Sequence, residues 1–103
     1  MDVLTLKYNN DPFYKDRRWK KKRENTLRRD DYICKECSRY GKTVQANTVH
    51  HIYPLETHPK LRFDSRNLIS LCVTCHGKMH NRVTNELTDL GLSLQNRIGK
   101  LDN

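Results

Sequence analysis

The stretch NLISLCVTCHGKMH, residues 67–80, reads first as a short strand and then as the entrance to a helix. At its centre stand Cys72 and Cys75, followed by His76 and His80. Residues four apart on a helix share a face, so the two imidazoles look the same way. A second Cys-x-x-Cys, CKEC at 34–37, lies upstream inside a tight turn that runs to Thr43, with Gly41 supplying a permissive backbone. Each such turn presents two thiolates at the separation a zinc ion needs. Two turns complete a tetrahedral sphere with no vacancy, the mark of a structural site. Cys34, Cys37, Cys72 and Cys75 are therefore read as ligands of a structural Zn²⁺. The competing reading, two local redox pairs, fits poorly with a reducing compartment.

Residues 38–71 separate the cysteine pairs, too long an insert for a plain zinc knuckle. The zinc reads as a pin holding the two ends of something else. Inside the insert lies TVHHIYP (48–54), β-forming residues around His50 and His51 that end at Pro54, so a short strand is expected. Neighbours on a strand point to opposite faces, so the two rings should serve different atoms. LETHPKLRFDSR (55–66) is polar and irregular, a loop in which His58 reads as ordinary surface; Tyr53 reads as core. A single histidine in such a chain would be a polar surface residue. Four of them, bracketing a zinc-pinned hairpin, read as a site.

Upstream, NDPFYKDRRWKKKRENTLRRDD reads as a helix over about 13–30, starting either at Asp11-Pro12 or nearer Lys15. Trp19, Arg23 and Leu27 share one face and read as a packing stripe. Lys20, Lys21, Lys22, Arg28 and Arg29 fan around the remainder. Downstream, from Thr84, apolar positions at Leu87, Leu90, Leu94, Ile98 and Leu101 keep an approximately helical period. This tail, 84–101, is expected to pack back on the first helix. Residues 1–10 read as a flexible or strand-like lead-in.

Twenty Lys and Arg against twelve Asp and Glu give a net charge of +8. RRWKKKR (17–23) holds six basic residues in seven. Such clustering points to a polyanionic partner bound through counterion release, DNA or RNA ahead of an acidic membrane surface. No secretory signal is evident in MDVLTLKYNN, and no segment approaches the roughly 20 apolar residues of a membrane span. A cytoplasmic single domain over residues 1–103 is expected, with a modest core that needs a metal staple.

The run CKEC … VHHIYPL … NLISLCVTCHGKMH resembles the HNH endonucleases of the ββα-metal (His-Me finger) class, in their cysteine-containing subtype. The preceding FYKDRRWKKKRENTLRRDDYIC is similar to the lead-in helix of many small phage and bacterial members. The resemblance spans about Phe13 to His80. It implies an α+β chain: a zinc-pinned ββα core at about 32–83 with flanking helices. It implies DNA hydrolysis to 5′-phosphate and 3′-hydroxyl ends. In the family's terms His51 is the general base, Asn67 fixes the ring of His51, and His50 and His76 hold a catalytic divalent ion. Some histidine-rich members add a ligand at the position of His80; the alternatives there are a phosphate contact or surface. Where many members carry Asp, this chain has His50. An imidazole-rich site suits Mn²⁺, Ni²⁺, Co²⁺ or Zn²⁺ better than Mg²⁺. The geometry of Asn67 against each ring distinguishes this assignment of the paired histidines from the exchanged one.

Lys20, Lys21, Lys22, Arg23, Arg28, Arg66, Lys78 and Arg82 are the candidate DNA contacts, with Lys60 and Arg62 also flanking the site. Two other functions compete with nuclease activity. One is a zinc-stabilised DNA-binding module that does not cut; the other is an adaptor acting through a partner. The last is compatible with cutting, because the resemblance is to small free-standing members that occur in phage genomes near packaging genes and are thought to work with the terminase.

Overall fold

A computed structural model describes residues 12–101. A 3-10 turn, Pro12–Lys15, leads into helix α1, Arg17–Arg29. The cap is Asp16, whose carboxylate accepts the Arg18 N–H at 2.7 Å. The helix thus begins at the later of the two expected starts; Asp11 lies outside the described residues. Arg28 and Arg29 occupy the last turn, where positive charge favours the helix dipole. The chain reverses through Asp31 and Tyr32 at φ 56° and 57°, tied back by the Tyr32 N–H to the Leu27 carbonyl at 2.8 Å.

The first cysteine turn is a short helix, α2, Lys35–Arg39, capped by the Cys34 sulfur. Strands β1, Thr48–His51, and β2, Leu68–Leu71, pair antiparallel with Thr48 opposite Leu71 and His51 opposite Leu68. β2 runs directly into α3, Val73–Gly77, which the Cys72 sulfur caps. The strand expected over 48–54 stops at His51 because the groups that would continue the ladder are taken: the Asn67 N–H bonds to the Asp64 carbonyl at 2.9 Å, and the Ile52 carbonyl accepts from Gln95 at 3.0 Å. The Ile52 N–H meets the Asn67 carbonyl at 2.9 Å, and the Tyr53 N–H meets its side-chain oxygen at 2.7 Å.

The sheet is covered on both sides, as the burial of consecutive residues Val49, His50 and His51 requires. α1 lies against one side through Trp19 and Leu27, and its C-terminal end is bonded to β2. Arg29 donates to the carbonyls of Ser65 and Leu68 at 2.8 Å each, and Asp30 accepts the Ser70 N–H at 3.2 Å. Arg29, grouped above with the cations that fan around the helix, is therefore a strut. Met79, Leu71 and Leu94 are buried in one cluster with these residues.

The tail is helical only over α4, Asp89–Ile98. Residues 81–85 form a turn instead, since the Asn81 side chain accepts the N–H groups of Val83 and Thr84. The polar partners of α4 lie at the exit of β1 and on the cysteine turn. Gln95 donates to the Ile52 carbonyl at 3.0 Å, and Arg97 pairs with the buried Glu36 at 3.0 Å. A hydroxyl bond at 2.9 Å from Tyr53 to the Gly99 carbonyl completes the dock. Gly91 is needed there: a Cβ would stand 2.6 Å from the Met79 carbonyl oxygen. Among the described residues, no helix is long and apolar enough to cross a membrane.

Candidate metal centres and active site

The four sulfur atoms of Cys34, Cys37, Cys72 and Cys75 lie within 4.8 Å of one another. Cys37 is 3.9 Å from Cys72 and 3.7 Å from Cys75. A disulfide needs about 2.05 Å, so these are separate thiols. A tetrahedron with metal–sulfur bonds of about 2.3 Å has edges near 3.8 Å, and the observed separations fit it. Burial pushes the Cys37 and Cys75 thiols up. For Cys34 burial acts in the same sense, but backbone N–H donors from Cys37 and Cys72 outweigh it and bring the thiol down to about 7. Such a quartet suits one zinc ion, which these residues could bind.

A second cluster lies where β1 meets α3. His50 is almost wholly buried, with its ring 5.5 Å from those of both His76 and His80. Neither of its ring nitrogens has a hydrogen-bond partner. A buried polar atom without a partner costs about 1–3 kcal/mol, and here one side chain carries two. Burial holds His50 well below the ordinary imidazole range, aided by the nearby His76, His80 and His51. Burial also brings His76 to about 4, with His80 contributing, and lowers His80. Three neutral imidazoles thus face one another, the state in which histidine coordinates metal.

His51 points to the other side of the strand. Its Nε2 lies 3.1 Å from the Arg62 carbonyl oxygen. A carbonyl oxygen can only accept, so Nε2 carries the proton and Nδ1 keeps its lone pair. The ring stacks on Trp19 with centroids 4.8 Å apart and planes at 27°. Burial, against the bond that His51 donates to the Arg62 carbonyl, takes this imidazole down to about 4. The Trp19 plate and the Arg62 carbonyl both escaped the sequence reading. Trp19 was legible only as an apolar position, and a backbone carbonyl leaves no signal in a sequence.

Asn67 is fully buried at the junction of a 3-10 turn and β2. The sequence reading put it on the His51 ring; its side-chain amide instead serves backbone groups. Its oxygen accepts from Tyr53 N–H, and its nitrogen donates to the carbonyls of Tyr53 at 3.1 Å and Leu61 at 3.2 Å. Leu61 precedes Arg62, so Asn67 fixes the loop whose next carbonyl orients His51. That geometry associates Asn67 with His51 and not with His50. Asn67→Ala should lower stability by about 2–3 kcal/mol, because it strands buried backbone groups on both sides of the loop. Urea unfolding of the zinc-loaded variant measures this, and an unchanged midpoint would contradict it.

The candidate DNA contacts divide. Lys20, Lys21, Arg28, Lys78 and Arg82 are exposed. Lys22 reaches the Ser65 hydroxyl at 2.6 Å, Arg66 pairs with Asp64 at 2.6 Å, and Arg23 donates to the Asn47 carbonyl at 2.6 Å. His58, read as surface, is half-buried beside Tyr53 with its Nδ1 2.8 Å from the Thr57 hydroxyl.

Comparison with known proteins agrees with this architecture. A family model described as HNH endonuclease matches residues 34–82. Among solved structures, the chain is similar to the HNH endonuclease of the deep-sea thermophilic bacteriophage GVE2, crystallised with manganese ion. The two are 40% identical with a TM-score of 0.62, over 63% of this chain and 71% of that one. No curated protein matches the chain.

Proposed function

The chain belongs to the HNH endonuclease family, and from that premise we propose that it is a divalent-metal-dependent nuclease hydrolysing DNA phosphodiester bonds. The observation that carries the metal dependence is His50, buried between two other imidazoles with both ring nitrogens unpartnered. His50, His76 and His80 would hold the catalytic ion, and the four cysteines a structural Zn²⁺. When bound there, a divalent ion supplies Lewis-acid stabilisation of the phosphoryl group and the leaving 3′ oxygen. Three neutral nitrogen donors favour Mn²⁺, Co²⁺, Ni²⁺ or Zn²⁺ over Mg²⁺.

His51 is the general base. Its Nδ1 lone pair takes a proton from water as the water oxygen attacks phosphorus. The resulting imidazolium keeps its Nε2–H on the Arg62 carbonyl and its face against the Trp19 ring, two contacts that offset part of the cost of charging a buried ring. Asn67 is a positioning residue, acting on His51 through the loop at Leu61 and Arg62. The products carry 5′-phosphate and 3′-hydroxyl ends. The exposed lysines and arginines of α1, with Lys78 and Arg82, contact the backbone of DNA and carry no sequence code. Reduced thiols at the cysteine site go with a cytoplasmic setting. Work alongside a packaging terminase is the part of the proposal that rests on the resemblance to small phage members, and co-purification with phage terminase subunits would test it.

Supercoiled plasmid incubated with the zinc-loaded protein and Mg²⁺, Mn²⁺, Co²⁺, Ni²⁺ or Zn²⁺ tests the reading. Nicked or linear product is expected with at least one of the softer ions, and none without added metal. DNA binding with no cleavage under any ion would assign the chain to the non-cutting, zinc-stabilised modules instead.

A further inference from the structure

Two concavities share His51 as a wall. The smaller, about 260 Å³, runs from α1 to β1 and includes His50, His76 and Arg23 in its lining. The larger, about 450 Å³, passes His51 and His80 on the other side and reaches Glu56 and Glu86. Their charges differ in sign. Arg23 is the one permanently charged residue lining the smaller cleft among the described residues, whereas the larger bears two carboxylates. A phosphodiester carries a negative charge, so it is attracted into the first cleft and repelled from the second.

We propose that Arg23 grips the scissile phosphodiester itself, a role that rests on the nuclease reading and narrows it from general backbone attraction to one residue at the reacting phosphate. Its guanidinium is held in place by one bond, from Nη2 to the Asn47 carbonyl at 2.6 Å, just before β1. A guanidinium has five N–H donors in a planar fork, and this bond occupies one of them. The anchored fork therefore loses little freedom when it takes a phosphate oxygen pair. Arg23 also stands four residues from Trp19 on the same face of α1. One rigid helix thus sets the plate under the base and the cation in the cleft, fixing their relative position. The neighbouring cations have other places: Lys22 is on Ser65, Arg29 is on β2, and Lys20 and Lys21 are exposed. The stripe read as packing is divided, with Trp19 and Leu27 buried and Arg23 on the cleft.

The test uses two substrates and the zinc-loaded protein. Plasmid DNA offers flanking phosphates; bis(p-nitrophenyl) phosphate is a diester with none. Arg23→Gln should reduce kcat on both by about 100-fold, the loss seen when a transition-state donor is removed. KM for plasmid, and DNA affinity by fluorescence anisotropy without added divalent ion, should move by less than about threefold. Lys42→Gln, an exposed cation remote from these roles, serves as the control and should match wild type. If Arg23→Gln fails to fold, Arg23→Lys keeps the charge without the fork, and a folded variant should lose about tenfold in kcat on both substrates. A loss confined to plasmid KM and affinity would make Arg23 a backbone-tracking cation and overturn the assignment. A lowered melting temperature with normal kcat would make it a strut for Asn47, with the same consequence. An active wild type whose variants are equally active sinks this assignment alone, whereas a wild type inactive on both substrates with every ion sinks the nuclease reading with it.

Discussion

Replacing Cys72 by serine should leave the chain unfolded, not merely inactive. Cys72 closes β2, caps α3 with its sulfur and stands 3.9 Å from Cys37 across the site. Its loss removes one of the four thiols that would hold zinc, and with it a link between the two turns that flank the hairpin. Structural zinc contributes on the order of 10–16 kcal/mol in small metal-folded domains. A domain of this size has a total stability of about 5–15 kcal/mol, so little remains without the ion. The rest of the fold cannot replace it: only 35% of the residues are hydrophobic, and 31% are charged. Circular dichroism of Cys72→Ser, and of wild type after zinc chelation, should show loss of the helical signal. A cooperative melt within a few degrees of wild type in either sample would contradict a structural role for the cysteines.

His50→Ala should behave in the opposite way, keeping the fold and losing the second metal. His50 makes no hydrogen bond through either ring nitrogen, so truncating it breaks none. Replacing an unsatisfied buried polar group by an apolar one is close to neutral apart from the cavity it leaves. A catalytic ion held there would, by contrast, lose the imidazole that faces both His76 and His80. Cleavage at one equivalent of Mn²⁺ should fall by about 1,000-fold, equivalent to roughly 4 kcal/mol of transition-state stabilisation. Calorimetric titration of the zinc-loaded variant with Mn²⁺ measures the binding directly. A variant that takes up Mn²⁺ with wild-type affinity would remove His50 from the metal site.

The features legible in the sequence were those whose chemistry fixes their spacing. Two Cys-x-x-Cys turns suit a shared ion, so the hairpin between them could be read directly. His76 and His80 do converge on His50, but not from one helix face as their spacing suggests: α3 ends at Gly77, and His80 lies in a bridge to Leu87. The alternation of a strand also gave His50 and His51 separate directions, toward α3 and toward Trp19 respectively. What could not be read depends on backbone atoms and on the packing of distant segments. Asn67 is bonded to the carbonyl of Leu61 instead of a ring, and His51 is oriented by the carbonyl of Arg62. The periodic leucines of the tail begin before the helix does, because the Asn81 side chain stabilises a turn over the positions that precede α4. Its docking on Ile52, Tyr53 and Glu36 follows from polar pairings that a hydrophobic period does not encode.

The most direct measurement is single-turnover nicking of supercoiled plasmid by zinc-loaded His51→Ala at saturating Mn²⁺, beside wild type. His51 is stacked on Trp19 with its free Nδ1 available to water, and it stands outside the cluster of His50, His76 and His80. The variant should therefore remain folded and still bind Mn²⁺. Its nicking rate should fall by about 100- to 10,000-fold, the range a general base contributes. Nicking at the wild-type rate by a folded, Mn²⁺-bound His51→Ala protein would contradict the account.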